Sequence, residues 1–313
     1  MTGTVMPHAI ETSSLSLRYG RTEAVRGLTM TVPAGSVYAL VGPNGAGKTT
    51  TIKGLMNLLR PSAGRASVLG VESRQVGPAV LRRIGYVSEN QDLPLWMAAS
   101  DLLAYCAPFY PSWDRAFAAS LAKQLALPLD TPLKACSRGM RMKAALVASL
   151  AYHPELLVLD EPFAGLDALV REEFTQGILE VAGGDRPWTV FISSHDIDEV
   201  ERLADWIGVI NQGRLELAEP VPSLLARFRR VEVATDGAAA LPAPLPASWL
   251  LAEASGRTVR FVESAYCHDD HGGVVLKAIP GAVDVSVTPM SLREIFIVLA
   301  RRFRLSDSQG GAR

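Results

Sequence analysis

The chain has 313 residues, enough for one large domain or a large domain with a smaller companion, and its 48% apolar and 20% charged composition supports a sizeable core and excludes a wholly disordered chain. With 31 basic and 32 acidic side chains the net charge is -1, so no global basic field draws in nucleic acid or anionic lipid, and no nucleic-acid partner is expected. The three cysteines, Cys106, Cys136 and Cys267, are too few and too scattered for a disulfide framework or a four-ligand zinc site, which points to a reducing compartment.

The N-terminal MTGTVMPHAIETSS lacks a basic region followed by an apolar run, so no secretory signal is expected. The longest uncharged stretch, Gly27 to Gly47, is broken by Pro33, Gly35, Gly42, Pro43 and Asn44 and cannot span a bilayer. A cytoplasmic protein is the expectation. Short, continuous apolar runs at Ser36 to Val41, Leu156 to Leu159 and Thr189 to Ile192 predict strands buried on both faces, as in a mainly parallel sheet covered by helices.

The first run leads into GPNGAGKTT, Gly42 to Thr50, which fits the phosphate-loop pattern G-x-x-x-x-G-K-[ST] between a strand and the helix predicted in TTTIKGLMNLL. Gly42, Pro43, Asn44, Gly45, Ala46, Gly47 and Thr50 form a turn whose backbone N–H groups can converge on phosphate oxygens at a helix N-terminus. Lys48 is expected to reach the β and γ phosphates and Thr49 to place its hydroxyl on Mg²⁺. A plain glycine turn is the simpler alternative, but it does not account for the strand before and the helix after.

ELLVLDEP, Glu155 to Pro162, sets Asp160 and Glu161 at the end of a buried strand, where an unpaired carboxylate is costly and a metal ion or ordered water offsets the cost. Asp160 suits the Mg²⁺ sphere and Glu161 suits polarising an attacking water. Alone, such a pair reads as a helix cap; beside a phosphate loop it reads as catalytic.

With these motifs in this order, the region from about Leu15 to Glu219 resembles the ATP-binding subunit of ATP-binding cassette (ABC) transporters, of the bacterial drug- and antibiotic-exporter type. The resemblance implies a phosphate-loop α/β cassette with a mainly parallel sheet core, an antiparallel β edge and a helical subdomain. It also implies that Tyr19, in LSLRYG, stacks on adenine and that CSRGM, Cys136 to Met140, is the signature usually written LSGGQ. AGLD, Ala164 to Asp167, looks like the loop linking two nucleotide sites, and His195 matches the histidine that contacts the γ-phosphate.

Two departures stand out. Ser137 and Gly139 of the signature are kept as the hydroxyl and helix-start amide for a γ-phosphate, but Arg138 and Met140 replace its usual residues. Glu89 stands where a Mg²⁺-sensing glutamine is usual, with Gln91 two residues later; a carboxylate there can still order water or metal while adding negative charge beside ATP. A single cassette cannot build a complete family site, so the resemblance implies dimerisation with itself or a related subunit, giving two equivalent sites. It further implies a separate transmembrane permease that holds the chain on the inner face of the membrane.

The implied activity is that of an ATPase motor. A soluble ABC ATPase without transport function is the first alternative, but such proteins usually carry two cassettes or a long coiled-coil insertion, and neither is visible. The second alternative, a non-catalytic nucleotide-binding regulator, is opposed by intact Lys48, Asp160, Glu161 and His195, since a regulator has no need of the water-activating carboxylate.

The region 1–219 is therefore expected to be the nucleotide-binding domain, with a helical subdomain at about 92–155. Its rings Trp96, Tyr105, Phe109, Tyr110 and Trp113 read either as that subdomain's small core or as part of a permease-docking surface spanning Asp92 to Ser100, with Trp96 its anchor. The region 220–313 is expected to be a small α+β appendage. GAAALPAPLPAS, Gly237 to Ser248, reads as a linker, and Val231–Val233, Val259–Val262, Val274–Leu276 and Val283–Val287 read as strands. CHDDH, Cys267 to His271, with Gly272 and Gly273 after it, reads as a polar hairpin loop more readily than as a metal site. SLRE predicts a capping box between Ser291 and Glu294 at the start of a last helix, with Leu292, Ile295, Phe296 and Leu299 as its apolar stripe.

Overall fold

The computed structural model describes residues 8–182, 188–267 and 271–310. The chain divides into two compact units, Met1–Ala218 and Glu219–Arg313.

The first unit runs β1 (His8–Tyr19), β2 (Thr22–Pro33), β3 (Val37–Val41), α1 (Lys48–Leu55), β4 (Ala63–Val68), β5 (Val71–Glu72), α2 (Pro78–Leu81), β6 (Ile84–Ser88), α3 (Ala99–Cys106), α4 (Arg115–Gln124), α5 (Arg138–Leu150), β7 (Leu156–Asp160), α6 (Ala168–Ala182), β8 (Thr189–Ser194), β9 (Trp206–Asn211) and β10 (Arg214–Pro220). Six strands form one sheet in the order β10-β9-β3-β8-β7-β6, and β2-β1-β4-β5 form an antiparallel second sheet. The two sheets and their helices match the α/β architecture that the resemblance implies.

Every residue of β3, β7 and β8 is buried. That burial on both faces is why these strands read as unbroken apolar runs, and it goes with parallel pairing of β3 to β8, β8 to β7 and β7 to β6. One apolar core, including Leu15, Leu17 and Leu28 of the antiparallel sheet, Ile52 and Leu55 of α1, and Leu40, Val158 and Phe191 of the parallel sheet, joins these layers. The helix after the phosphate loop is shorter than TTTIKGLMNLL suggests: α1 ends at Leu55, and Asn57 turns the chain with φ +60°.

The helices α3 and α4 each pack on α5, and α5 also packs on β6. Asp114 caps α4 by accepting from the Phe117 amide at 2.9 Å, and Ser137 caps α5 by accepting from the Met140 amide at 3.2 Å. The aromatic residues here do not form a single core. Tyr110 stacks on Tyr152 with centroids 3.7 Å apart, whereas Trp96 is 75% exposed and Tyr105 and Phe109 are more than half exposed.

The second unit holds α7 (Val221–Arg227), β11 (Arg229–Thr235), β12 (Trp249–Ser255), β13 (Thr258–Glu263), α8 (His271–Ala278), β14 (Ala282–Pro289) and α9 (Leu292–Gly310), with an antiparallel sheet ordered β12-β13-β11-β14. Its core brings together Val231, Val233, Val259, Phe261, Val275 and Ile279, and Trp249 stacks on Phe261 with centroids 3.8 Å apart. Between Thr235 and Trp249 there is neither strand nor helix, as the prolines require. The Ser291 and Glu294 capping box forms: the Ser291 amide donates to Glu294 Oε2 at 2.9 Å, and the Glu294 amide donates to Ser291 Oγ at 3.3 Å.

Two expectations are corrected here. Val274–Leu276 lies in the helix α8, not in a strand, because Val275 and Ile279, one helical turn apart, both fit into the core; tertiary packing overrides the β-branched preference. For the same reason Gly272 and Gly273 lie in α8 and close no hairpin, while His268, Asp269 and Asp270 of CHDDH lie outside the described residues. The strand β12, WLLAEAS, has no β-branched residue and no aromatic beyond Trp249 and was not legible; it forms because it pairs with β13 at the sheet edge.

Candidate nucleotide-hydrolysis site

Four parallel strands end side by side, and each carries a candidate residue just beyond its carboxyl end. The phosphate loop follows β3, Glu89 follows β6, Glu161 follows β7 and His195 follows β8. Register aligns these ends: Val41 is opposite Ser194, Asp160 opposite Ser193, and Ser88 opposite Asp160. Residues up to 153 positions apart in the chain, 194 minus 41, are thereby brought to one edge, the place where open α/β sheets bind ligands.

The loop itself is closed by backbone bonds. The Gly42 amide donates to the Ser194 carbonyl at 3.2 Å and the Ala46 amide to the Pro43 carbonyl at 3.1 Å, leaving Pro43, Asn44 and Gly45 exposed. Gly47 has φ +109°, and a Cβ there would lie 2.6 Å from the Ala24 carbonyl oxygen, so only glycine closes this turn. From it α1 starts, with Thr51 donating to the Gly47 carbonyl at 2.9 Å and Thr50 half-buried beside it. Lys48 is buried and folds back over the loop, donating to the carbonyls of Gly42 at 2.7 Å and Pro43 at 3.2 Å.

The same ammonium lies 3.0 Å from Glu161 Oε1, and His195 Nδ1 lies 2.7 Å from Glu161 Oε2. Glu161 is thus held between two donors, Lys48 at the start of α1 and His195 just beyond β8. Its own backbone is in the left-handed region, φ +50°, and its amide donates to Ser193 Oγ at 3.0 Å. A non-glycine residue pays for such a conformation, and strain of this kind gathers at functional sites. The hydrogen bond that the Glu161 carboxylate accepts from the His195 ring raises the pKa of His195 above its ordinary value of 6.5.

Asp160 is buried; burial raises its pKa above the usual carboxylate value, against hydrogen bonds donated by Ser193 Oγ at 2.7 Å and Thr49 Oγ1 at 3.0 Å. Thr49 and Asp160 therefore present a hydroxyl and a buried carboxylate in contact, a hard-oxygen pair that suits Mg²⁺ and whose burial cost a cation relieves. Glu89 donates its amide to the Asp160 carbonyl at 2.9 Å, but its carboxylate forms an ion pair with Arg138.

Tyr19 is exposed at the end of β1, paired in register with Thr22, whose strand β2 carries Ala24 and Val25 against Gly47. Ser137 and Gly139 sit at the start of α5. Among the described residues no hydrogen bond or ion pair joins either of them to the phosphate loop of the same chain.

Two contributors were missed in the sequence. Ser193 bonds both Asp160 and the Glu161 amide, and it reads in the chain as the tail of an apolar run. Glu199 is buried, accepts from Ser194 Oγ at 2.5 Å, and has its pKa raised by burial; with Glu161 and His195 it brings ligand atoms within 4.8 Å of one another. Its spacing of four from His195 in SSHDIDEVE was the available signal.

Strand, glycine loop and helix, with an acidic pair on a nearby strand end, define a phosphate-loop nucleotide hydrolase. The family model for ABC transporters matches residues 25–164. The daunorubicin/doxorubicin resistance ATP-binding protein DrrA of Streptomyces peucetius is 39% identical over 212 residues, 66% of this chain and 64% of that protein, a little under two thirds of its length. The bacitracin transport ATP-binding protein BcrA of Bacillus licheniformis is 33% identical over 227 residues, 72% of this chain and 74% of that protein. A solved structure described as the ATP-binding subunit of an ABC transporter superposes with a TM-score of 0.63 at 26% identity, covering 70% of this chain and 92% of that one. The chain belongs to the ABC transporter family, as one of its ATP-binding subunits. Such subunits bind and hydrolyse ATP, dimerise and work with membrane subunits. Among the described residues no helix is long and apolar enough to cross a membrane.

Proposed function

We propose that this chain is the motor subunit of an exporter, driving a separate permease from the cytoplasmic face of the membrane. The relatives named for drug resistance and bacitracin transport support that direction. The observation that carries the chemistry is the Glu161 carboxylate held between Lys48 and His195 beside the phosphate loop.

In this reading the backbone amides of Gly42 to Thr50 bind the phosphates, and the Lys48 ammonium exchanges loop carbonyls for β and γ oxygens. Tyr19 supports the adenine. Thr49 and Asp160 hold Mg²⁺, which neutralises charge on the phosphate oxygens when bound. Glu161 accepts a proton from the attacking water, and His195 orients that carboxylate and meets the γ-phosphate. Ser137 and Gly139 act on the nucleotide of a second cassette, which is consistent with their having no bond to the phosphate loop of their own chain. Binding then closes the dimer and hydrolysis reopens it, so that the permease sees two states.

The test is Glu161→Gln. The amide is a far weaker base of nearly the same size, so turnover should fall by about 10²-fold or more while ATP still binds. With Mg²⁺ and ATP the variant should accumulate as a dimer in light scattering. Unchanged turnover, or a protein that stays monomeric at saturating ATP, overturns the reading.

A further inference from the structure

Glu89 and Arg138 are both departures from the family pattern, one in the loop after β6 and one in the signature. In the folded chain they meet, with Arg138 Nη2 2.5 Å from Glu89 Oε1. Arg138 is the first residue of α5, where the helix amides already present partial positive charge and a guanidinium alone is unfavourable. Glu89, taken alone, adds negative charge close to the nucleotide edge of the sheet. Each cancels the other's cost, so the two departures are one change.

The guanidinium has a second neighbour. Gly165, in the AGLD loop, has φ +69°, and a Cβ on it would lie 2.8 Å from Arg138 Nη1. Arg138 thus packs against the Gly165 backbone, where a side chain would push the guanidinium from its place. Glu89 is anchored in turn by the hydrogen bond its backbone amide donates to the Asp160 carbonyl. One side chain therefore spans three loops, those after β6 and β7 and the turn that starts α5.

We infer that Arg138 is a positioning residue of the ATP sandwich: through Glu89 and Gly165 it ties the loops around one cassette's own nucleotide site to the Ser137–Gly139 surface offered to the second cassette. The inference rests on the proposed sandwich. The pair is partly exposed, 41% for Arg138 and 30% for Glu89, so it adds little to overall stability and acts on placement.

A double-mutant cycle in the full chain tests it, with every protein carrying Glu161→Gln so that ATP persists. The four proteins are the parent, Arg138→Gln, Glu89→Gln and the double variant. The ATP concentration for half-maximal dimerisation is read by light scattering, and ATP affinity is read with a fluorescent analogue at dilutions where the protein is monomeric. Each single change should raise the half-dimerisation concentration by about 5- to 10-fold, and the double variant should be no worse than either single one. Arg138→Gln should leave the monomer's affinity within about twofold, a split that general unfolding does not produce. Arg138→Lys, which keeps the charge, should recover part of the loss, and Arg138→Ala replaces Arg138→Gln in the cycle if that variant does not fold.

Single effects that multiply in the double variant, or an Arg138→Gln protein that dimerises like the parent, overturn the inference and leave the sandwich intact. A parent that never dimerises with ATP removes the sandwich reading and this inference with it.

Discussion

Lys48 forms three contacts, to two loop carbonyls and to Glu161, while almost fully buried. Lys48→Ala removes a charge-assisted partner of the phosphates and also leaves Glu161 with only His195. ATP affinity should fall by about 10- to 100-fold, measured by calorimetric titration, and unchanged affinity would reject the phosphate-loop assignment. His195 gives a pH dependence of definite sign. Its folded-state pKa lies above 6.5 because Glu161 favours the charged ring, so the pair's contribution is fully present below 6.5 and is lost as pH rises through the folded value. Without nucleotide, the difference in melting temperature between the parent and His195→Gln should be larger near about pH 5.5 than near about pH 9, though screened by solvent. An equal difference at both would mean that the ring acts only by packing. At this scale the phosphate loop was legible because its chemistry is contiguous, and Asp160 and Glu161 because they interrupt a buried run. Ser193 and the partnership of Arg138 with Glu89 were not, because strand register and loop approach create those contacts and no local pattern announces them, and Glu199 offered only its spacing of four from His195.

The turn that carries Trp96 is firmly built although its ring is not. The Met97 amide donates to the Pro94 carbonyl at 2.9 Å, and the amides of Leu133 and Lys134 donate to the carbonyls of Met97 and Leu95, both at 2.8 Å. A fixed backbone with a 75% exposed indole is a preorganised anchor, since little ordering is needed to dock it. If this turn meets the permease, Trp96→Ala should weaken assembly by about 2 kcal/mol, or about 30-fold, in co-purification from membranes, while sparing the isolated subunit's ATPase. Assembly at parental strength would assign the ring to an irrelevant surface. Elements were legible where period and punctuation agreed, as in β3, β7 and the capped start of α9. They were misread where a short apolar segment fits either element, since Val274–Leu276 differs from a strand only in what Val275 and Ile279 pack against.

At the scale of the molecule, every residue named for nucleotide chemistry lies before Pro220, and the second unit has its own sheet and core. A chain ending at Pro220, which keeps β10 whole, should bind ATP within about twofold of the full chain in a fluorescence titration. A folded truncation that fails to bind would show that the second unit contributes to the site.

The strand order also sets a timetable for synthesis. In the sheet β8 lies between β3 and β7, yet it is translated after both. A ribosome that has released residues 1–182 has therefore made the phosphate loop, Asp160 and Glu161, but not the strand that bridges β3 and β7. Only when β8 enters the gap do Val41 and Asp160 gain Ser194 and Ser193 as neighbours. The strand ends that carry the candidate site are therefore brought side by side late in synthesis, with the closure of a long-range sheet, the slow kind of folding step. A nucleotide bound at the assembled edge then stabilises the closed sheet by mass action.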